Sequence, residues 1–82
     1  MSESPDQDLI DEEERRVRKV RLVVDLTSAV LWQADITLEE AFEVTSAARR
    51  KVLELFPESA NTYDLIYSPR FRRIITERFS LN

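Results

Sequence analysis

KVRLVVDLTSAVLWQA, residues 19–34, decides the fold, because it can be taken as a strand or as the second half of a long helix. Val20, Leu22, Val24 and Leu26 alternate with Lys19, Arg21, Asp25 and Thr27, valine favours strands, and only Val23 breaks the alternation. No other segment alternates, so a strand over 19–27 would have to pair with another molecule. The helical period accounts for more of the chain. Ile10, Val17, Val24 and Leu31 recur at seven-residue spacing, while the companion seam of Glu13, Val20, Thr27 and Ala34 is only half apolar. That pattern suits packing against helices of the same domain better than an extended coiled coil. One helix is therefore expected from Pro5 to Ala34, about 45 Å long, with the intermolecular strand kept as the alternative.

From Val20 onward the apolar arc of this helix widens to include Leu22, Val23, Leu26 and Val30. Only Arg21, Asp25, Ser28 and Trp32 look outward. A helix apolar over so much of its circumference must be central in a bundle or covered by a second copy. Val20, Val23, Leu26, Val30 and Trp32 are accordingly the expected interaction residues, and a homodimer is the expected state. Trp32 stands apart, because it lies in the polar strip and either covers the bundle edge or meets a partner.

Working toward the N-terminus, Ser4-Pro5-Asp6-Gln7 has the form of a helix start, with a capping serine, proline where a missing N–H costs nothing, and Gln7 to complete a capping box. Residues 1–14 carry seven acids and no base, and residues 15–21 carry five bases and no acid. Asp11 with Arg15, Glu12 with Arg16 and Glu14 with Arg18 are acid-to-base pairs one helical turn apart, in the favourable order. They account for the two charge blocks without a partner. The opposing possibility is that residues 1–8 form a frayed acidic segment ahead of a single helical domain over 9–82.

The totals narrow the class. Eighty-two residues hold one core, and a chain of that size buries only about three-fifths of its unfolded surface. The chain contains no glycine, which disfavours type I′ hairpins and phosphate-cradling loops and points to an all-α fold. It also contains no cysteine and no histidine. Disulfides, thiolate metal sites, and Ser/His/Asp or Cys/His catalysis are thereby excluded. The acidic N-terminus does not resemble a signal peptide, and no apolar run is long enough to span a membrane. A cytoplasmic location is expected.

Toward the C-terminus, Thr37 and Glu40 form a second capping box, with Ile36 and Ala41 as its staple. A second helix, antiparallel to the first, is expected from Leu38 to about Phe56, stopped by Pro57. Residues 57–62 are a polar connector, and Ser59 or Thr62 can cap a short helical turn holding Tyr63, Leu65, Ile66 and Tyr67. Ser68-Pro69 then reads as a new start, so the chain should close with a short helical pair. The expected architecture is a small bundle of one long helix, a second antiparallel helix and this C-terminal pair.

The remaining chemistry is carried by carboxylates and arginines. Glu39-Glu40-x-x-Glu43 has the EExxE form and resembles the magnesium motif of the all-α nucleoside triphosphate pyrophosphohydrolases. That resemblance implies a second acidic pair, for which Glu58-x-x-Asn61 is the candidate and fails at its last residue. Acids also suit a helix start on dipole grounds alone. Arg70, Arg72, Arg73 and Arg78 follow a short turn in an order similar to a helix-turn-helix, which makes Arg70, Arg72 and Arg73 candidate nucleic-acid contacts, joined by Arg15 to Arg21 of a second subunit. Against this, the chain carries a net charge of -4, whereas nucleic-acid-binding domains are usually basic. Arg49 and Arg78 intrude on apolar faces, either snorkelling or paired with Asp25, Asp35 or Asp64.

The sequence thus describes a small non-enzymatic helical protein-interaction module that self-associates, with a nucleic-acid-binding regulator and a magnesium-dependent nucleotide hydrolase as successive alternatives. No cofactor or membrane partner is expected.

Overall fold

The computed structural model describes the backbone of residues 5–80 and the side chains of residues 9–80. Within them the chain forms three helices: α1, Pro5–Gln33; α2, Leu38–Leu55; and α3, Ala60–Arg78. Residues 19–33 are helical, so the strand reading is set aside. The helical period is what places Val24, Thr27 and Leu31 together on one buried face. The expected Ser4 cap and its Gln7 side-chain partner lie outside the described residues.

Thr37 starts α2 as its spacing predicts. Its hydroxyl accepts the Glu40 N–H at 3.1 Å, and the Glu40 carboxylate accepts the Thr37 N–H at 2.9 Å. Ile36 packs against the core and Ala41 is fully buried, which fits the expected staple. The helix ends at Leu55, ahead of Pro57.

The C-terminal region differs from expectation. Instead of a short helical pair there is one continuous helix, with Pro69 inside it. Ser68 does not cap a new helix; its hydroxyl donates to Asp64 Oδ1 one turn back, at 3.2 Å. Proline inside a helix costs about 3 kcal/mol, but continuity aligns Tyr63, Phe71, Ile74 and Ile75, all buried, on one face. Each such side chain contributes roughly 1.5 to 3 kcal/mol when removed from water, so packing outweighs the break. Ser59 does occupy the N-cap position of α3, but its hydroxyl donates back to the Phe56 carbonyl at 2.7 Å rather than capping. At the far end Ser80 takes φ 54°, the left-handed conformation usually left to glycine. This chain has no glycine to place there.

The core is built from all three helices: Val24 and Leu31 of α1, Ala41 and Val52 of α2, and Tyr63, Phe71, Ile74 and Ile75 of α3. Alanines at 41 and 48 let the backbones of neighbouring helices approach closely. The molecule is drawn out to 57 × 24 × 15 Å. By rise per residue α1 is about 43 Å long and α2 only about 27 Å, so the start of α1 is an arm without a companion of equal length. Among the described residues no helix is long and apolar enough to cross a membrane.

Candidate interaction site

The seven-residue seam of α1 changes environment along its length. Leu31 and Val24 are 0% and 3% exposed, whereas Val17 and Ile10 are 38% and 49% exposed. Arg16 marks the transition, with its guanidinium 5.6 Å from the centre of the Phe56 ring at the end of α2. From Leu9 to Arg15 every side chain except Asp11 is exposed. Two of the expected helix-strengthening pairs are present on the arm side, Glu12 with Arg16 at 3.6 Å and Glu14 with Arg18 at 3.9 Å.

The five expected interaction residues do not share one surface. Val20 and Val23 are half-buried and pack against the core. Trp32 is exposed, on the opposite flank of α1 from Leu26 by helical rotation. Val23, Leu26 and Val30 do come together, lining an open groove between α1 and α2 that Val44, Ala47 and Ala48 complete. Its only charged wall residue is Lys51. Leu22, next to this groove, is exposed rather than covered by the chain's own helices. Val44 and Ala47 join Val23, Leu26 and Val30 only where α1 and α2 pack together, which the pattern of either helix alone does not show.

The two misplaced arginines have different solutions. Arg49 meets Asp64, one of its three expected partners, through Nε to Oδ1 at 3.0 Å and Nη2 to Oδ2 at 3.1 Å. The pair is half exposed rather than buried in the core. The Arg49 hydrogen bonds hold the Asp64 carboxyl below its ordinary range, and the same bonds raise the Arg49 guanidinium. Arg78 meets none of the expected carboxylates. Its Nη1 donates to the Leu31 carbonyl at 2.7 Å and its Nη2 to the Ala34 carbonyl. α1 has no basic residue in its own last turn, so α3 supplies the cation that suits this helix end.

Arg70, Arg72 and Arg73 are exposed on the outside of α3, and their side chains make no ion pair among the described residues. Leu65 and Ile66, assigned from sequence to a separate short turn, are on the same continuous helix, 78% and 57% exposed. Continuity of α3 through Pro69 is what turns both outward. Tyr63 is buried against Phe71 and Tyr67, with ring centroids 6.3 and 5.5 Å away. Its hydroxyl donates to the Thr45 carbonyl at 3.5 Å. Burial pushes its phenol up to about 12, Arg49 opposing and Asp64 adding to the shift.

The acidic motif is dispersed. Glu40 is committed to the α2 cap, and the Thr37 backbone and hydroxyl bonds lower its carboxyl from the ordinary value. Glu39 and Glu43 lie near the start of α2, while Glu58 and Asn61 lie past its end, beyond roughly 18 to 24 Å of helical rise. No group of three or more metal-binding side chains gathers among the described residues. The cleft between α2 and α3, walled by Phe42, Thr45, Arg49, Tyr63 and Arg72, has its Arg49 and Tyr63 groups already engaged. Compared with models of protein families, with curated proteins and with solved structures, the chain finds no match in any of the three.

Proposed function

We propose that this chain is a small, non-enzymatic, cytoplasmic interaction module that forms a homodimer through the groove between α1 and an antiparallel α2. The observation that carries the reading is the gathering of Val23, Leu26 and Val30 with Val44 and Ala47 on one open surface. With Lys51 at its rim and no charge in its middle, this surface can meet a copy of itself without burying an unpaired ion. A chain this short has a modest core of its own, and covering the groove and Leu22 adds apolar burial that one copy does not reach.

Sedimentation of the wild-type chain at high micromolar concentration is expected to give a dimer. Leu26→Glu places a charge in the groove and removes a leucine whose burial is worth roughly 1.5 to 3 kcal/mol, so dimerisation should weaken about ten- to a hundredfold or more. Trp32→Ala, outside the groove, should leave it unchanged. A wild-type monomer at these concentrations, or a Leu26→Glu chain that dimerises normally, would defeat the proposal.

A further inference from the structure

The outside of α3 combines two features that seldom meet on a solvated helix. Leu65, the most exposed large apolar residue among those described, is followed by Ile66 and exposed Pro69. Around them stand Arg70, Arg72 and Arg73, three guanidinium groups with no ion pair among the described residues. Arg15, Arg21 and Arg50 likewise show no ion pair among the described residues, so what marks this face is the meeting of three such arginines with the exposed apolar residues Leu65, Ile66 and Pro69. An apolar floor with arginine forks at its edges fits an acidic amphipathic helix, which offers aliphatic side chains to the floor and carboxylates to the forks. A nucleic acid would engage the arginines but leave Leu65 and Ile66 wet. It would also have to approach a chain of net charge -4.

The chain itself supplies a helix of the required chemistry. The α1 arm exposes Leu9 and Ile10 and continues into Asp11, Glu12, Glu13 and Glu14. Ile10 and Val17 form an exposed stripe with Glu13 and Glu14 beside it. Residues 9–14 and 65–73 have similar reach, about 8 and 12 Å by helical rise. The arm cannot fold back onto its own α3. α1 is one uninterrupted helix, Val17 and Val20 are level with Thr62 and Tyr63 near the start of α3, and Arg78 at the end of α3 reaches the end of α1. The arm therefore projects beyond the starting end of α3, away from the arginines.

We propose that the outer face of α3 receives the acidic arm of α1 from a second copy of the chain, with Leu9 and Ile10 against Leu65 and Ile66, and the arm carboxylates against Arg70, Arg72 and Arg73. The inference rests on the self-association proposed above and adds a contact distinct from the groove. Donor and receiver are different surfaces, and the contact proposed is the heterologous one, in which the arms of one dimer reach the α3 faces of the next and link dimers into larger assemblies.

Salt separates the two contacts. Between about 20 mM and about 500 mM NaCl the screening length shrinks severalfold, so arm docking should weaken about tenfold or more while groove pairing holds. Sedimentation is expected to show species larger than a dimer at low salt, reduced to the dimer at high salt. General repulsion between acidic chains predicts the opposite trend. The triple variant Arg70→Glu, Arg72→Glu, Arg73→Glu should remain a dimer at both salts, as should Glu12→Lys, Glu13→Lys, Glu14→Lys. Mixing the two should restore the larger species at low salt, with unchanged helical circular dichroism excluding misfolding as the cause of either loss.

A wild-type dimer at every salt concentration overturns the arm contact and leaves the groove reading intact. Salt-sensitive association of a chain that is monomeric at high salt does the reverse. Failure of the mixture to restore assembly also overturns the inference. So does binding of a short DNA duplex that the arginine variant loses while its assembly persists, because the arginines would then serve a nucleic acid.

Discussion

Ile10 and Val17 belong to the same seven-residue repeat as Val24 and Leu31, on the same helix, and yet the first two are partly exposed to water and the last two lie in the core. The difference comes from what stands opposite. Beside Val24 and Leu31 are the small residues of α2 and the aromatic face of α3, whereas α2 has ended at Leu55 before the arm begins, and Phe56 reaches only as far as Arg16. A repeat specifies which residues share a stripe, and the lengths of the neighbouring helices decide how much of that stripe is covered. The largest expected effect follows directly. Leu31→Ala should destabilise the chain by about 2 to 5 kcal/mol, and Ile10→Ala should change monomer stability by no more than about 0.5 kcal/mol. Urea denaturation of both variants, at a concentration where the wild type is dissociated, tests the contrast. Equal losses would mean that the arm is packed as the bundle is.

The next effect concerns how the two ends of α1 are finished. The bundled end delivers its last carbonyls to Arg78 of α3, 47 residues from Leu31 in sequence. Arg78→Met keeps most of the aliphatic stem but leaves the carbonyls of Leu31 and Ala34 without that donor. The expected loss is about 1 to 3 kcal/mol. Hydrogen exchange should quicken at Phe79 and in the last turn of α1 while the arm amides keep their rate. A variant as stable as the wild type, with exchange unchanged at the end of α1, would show that water serves these carbonyls equally well.

Local signals were legible where their causes are local. The Thr37–Glu40 box, the start of α2 and its stop before Pro57 need only the residues within one turn, and each stands where its spacing put it. The helical nature of residues 19–33 was also legible, because a period over many residues outvotes a short alternation. The C-terminal pair was not, since Ser68-Pro69 is a genuine local start signal that only the burial of Tyr63, Phe71, Ile74 and Ile75 against two other helices overrides. The candidate groove was half legible. Val23, Leu26 and Val30 follow from the wheel of α1, but Val44 and Ala47 belong to another helix, whose register against α1 no local pattern encodes. Arg78 illustrates the same limit. A search among carboxylates for its partner could not succeed, because the acceptors are backbone carbonyls that become available only where a helix ends.

The smallest effect at neutral pH lies at the boundary between arm and bundle. Tyr63 borders the hollow formed with Val17, Val20, Val52 and Phe56, where α1 leaves the shelter of the other two helices. Tyr63→Phe removes only the long 3.5 Å bond to the Thr45 carbonyl, so at pH 7 the change should stay under about 1 kcal/mol. The phenol becomes informative in alkali. Burial raises it from its ordinary 10.0 to about 12 in the folded chain. Between those values the unfolded chain has released this proton and the folded chain still holds it, so the stability the neutral phenol contributes is full below pH 10 and falls as pH rises toward 12. The difference in stability between wild type and Tyr63→Phe should therefore move in favour of the variant over that interval, by at most about 1.4 kcal/mol per pH unit. Parallel curves for the two proteins would mean that water reaches the phenol, which would move the boundary between arm and bundle inward, past Val20 and toward Val24.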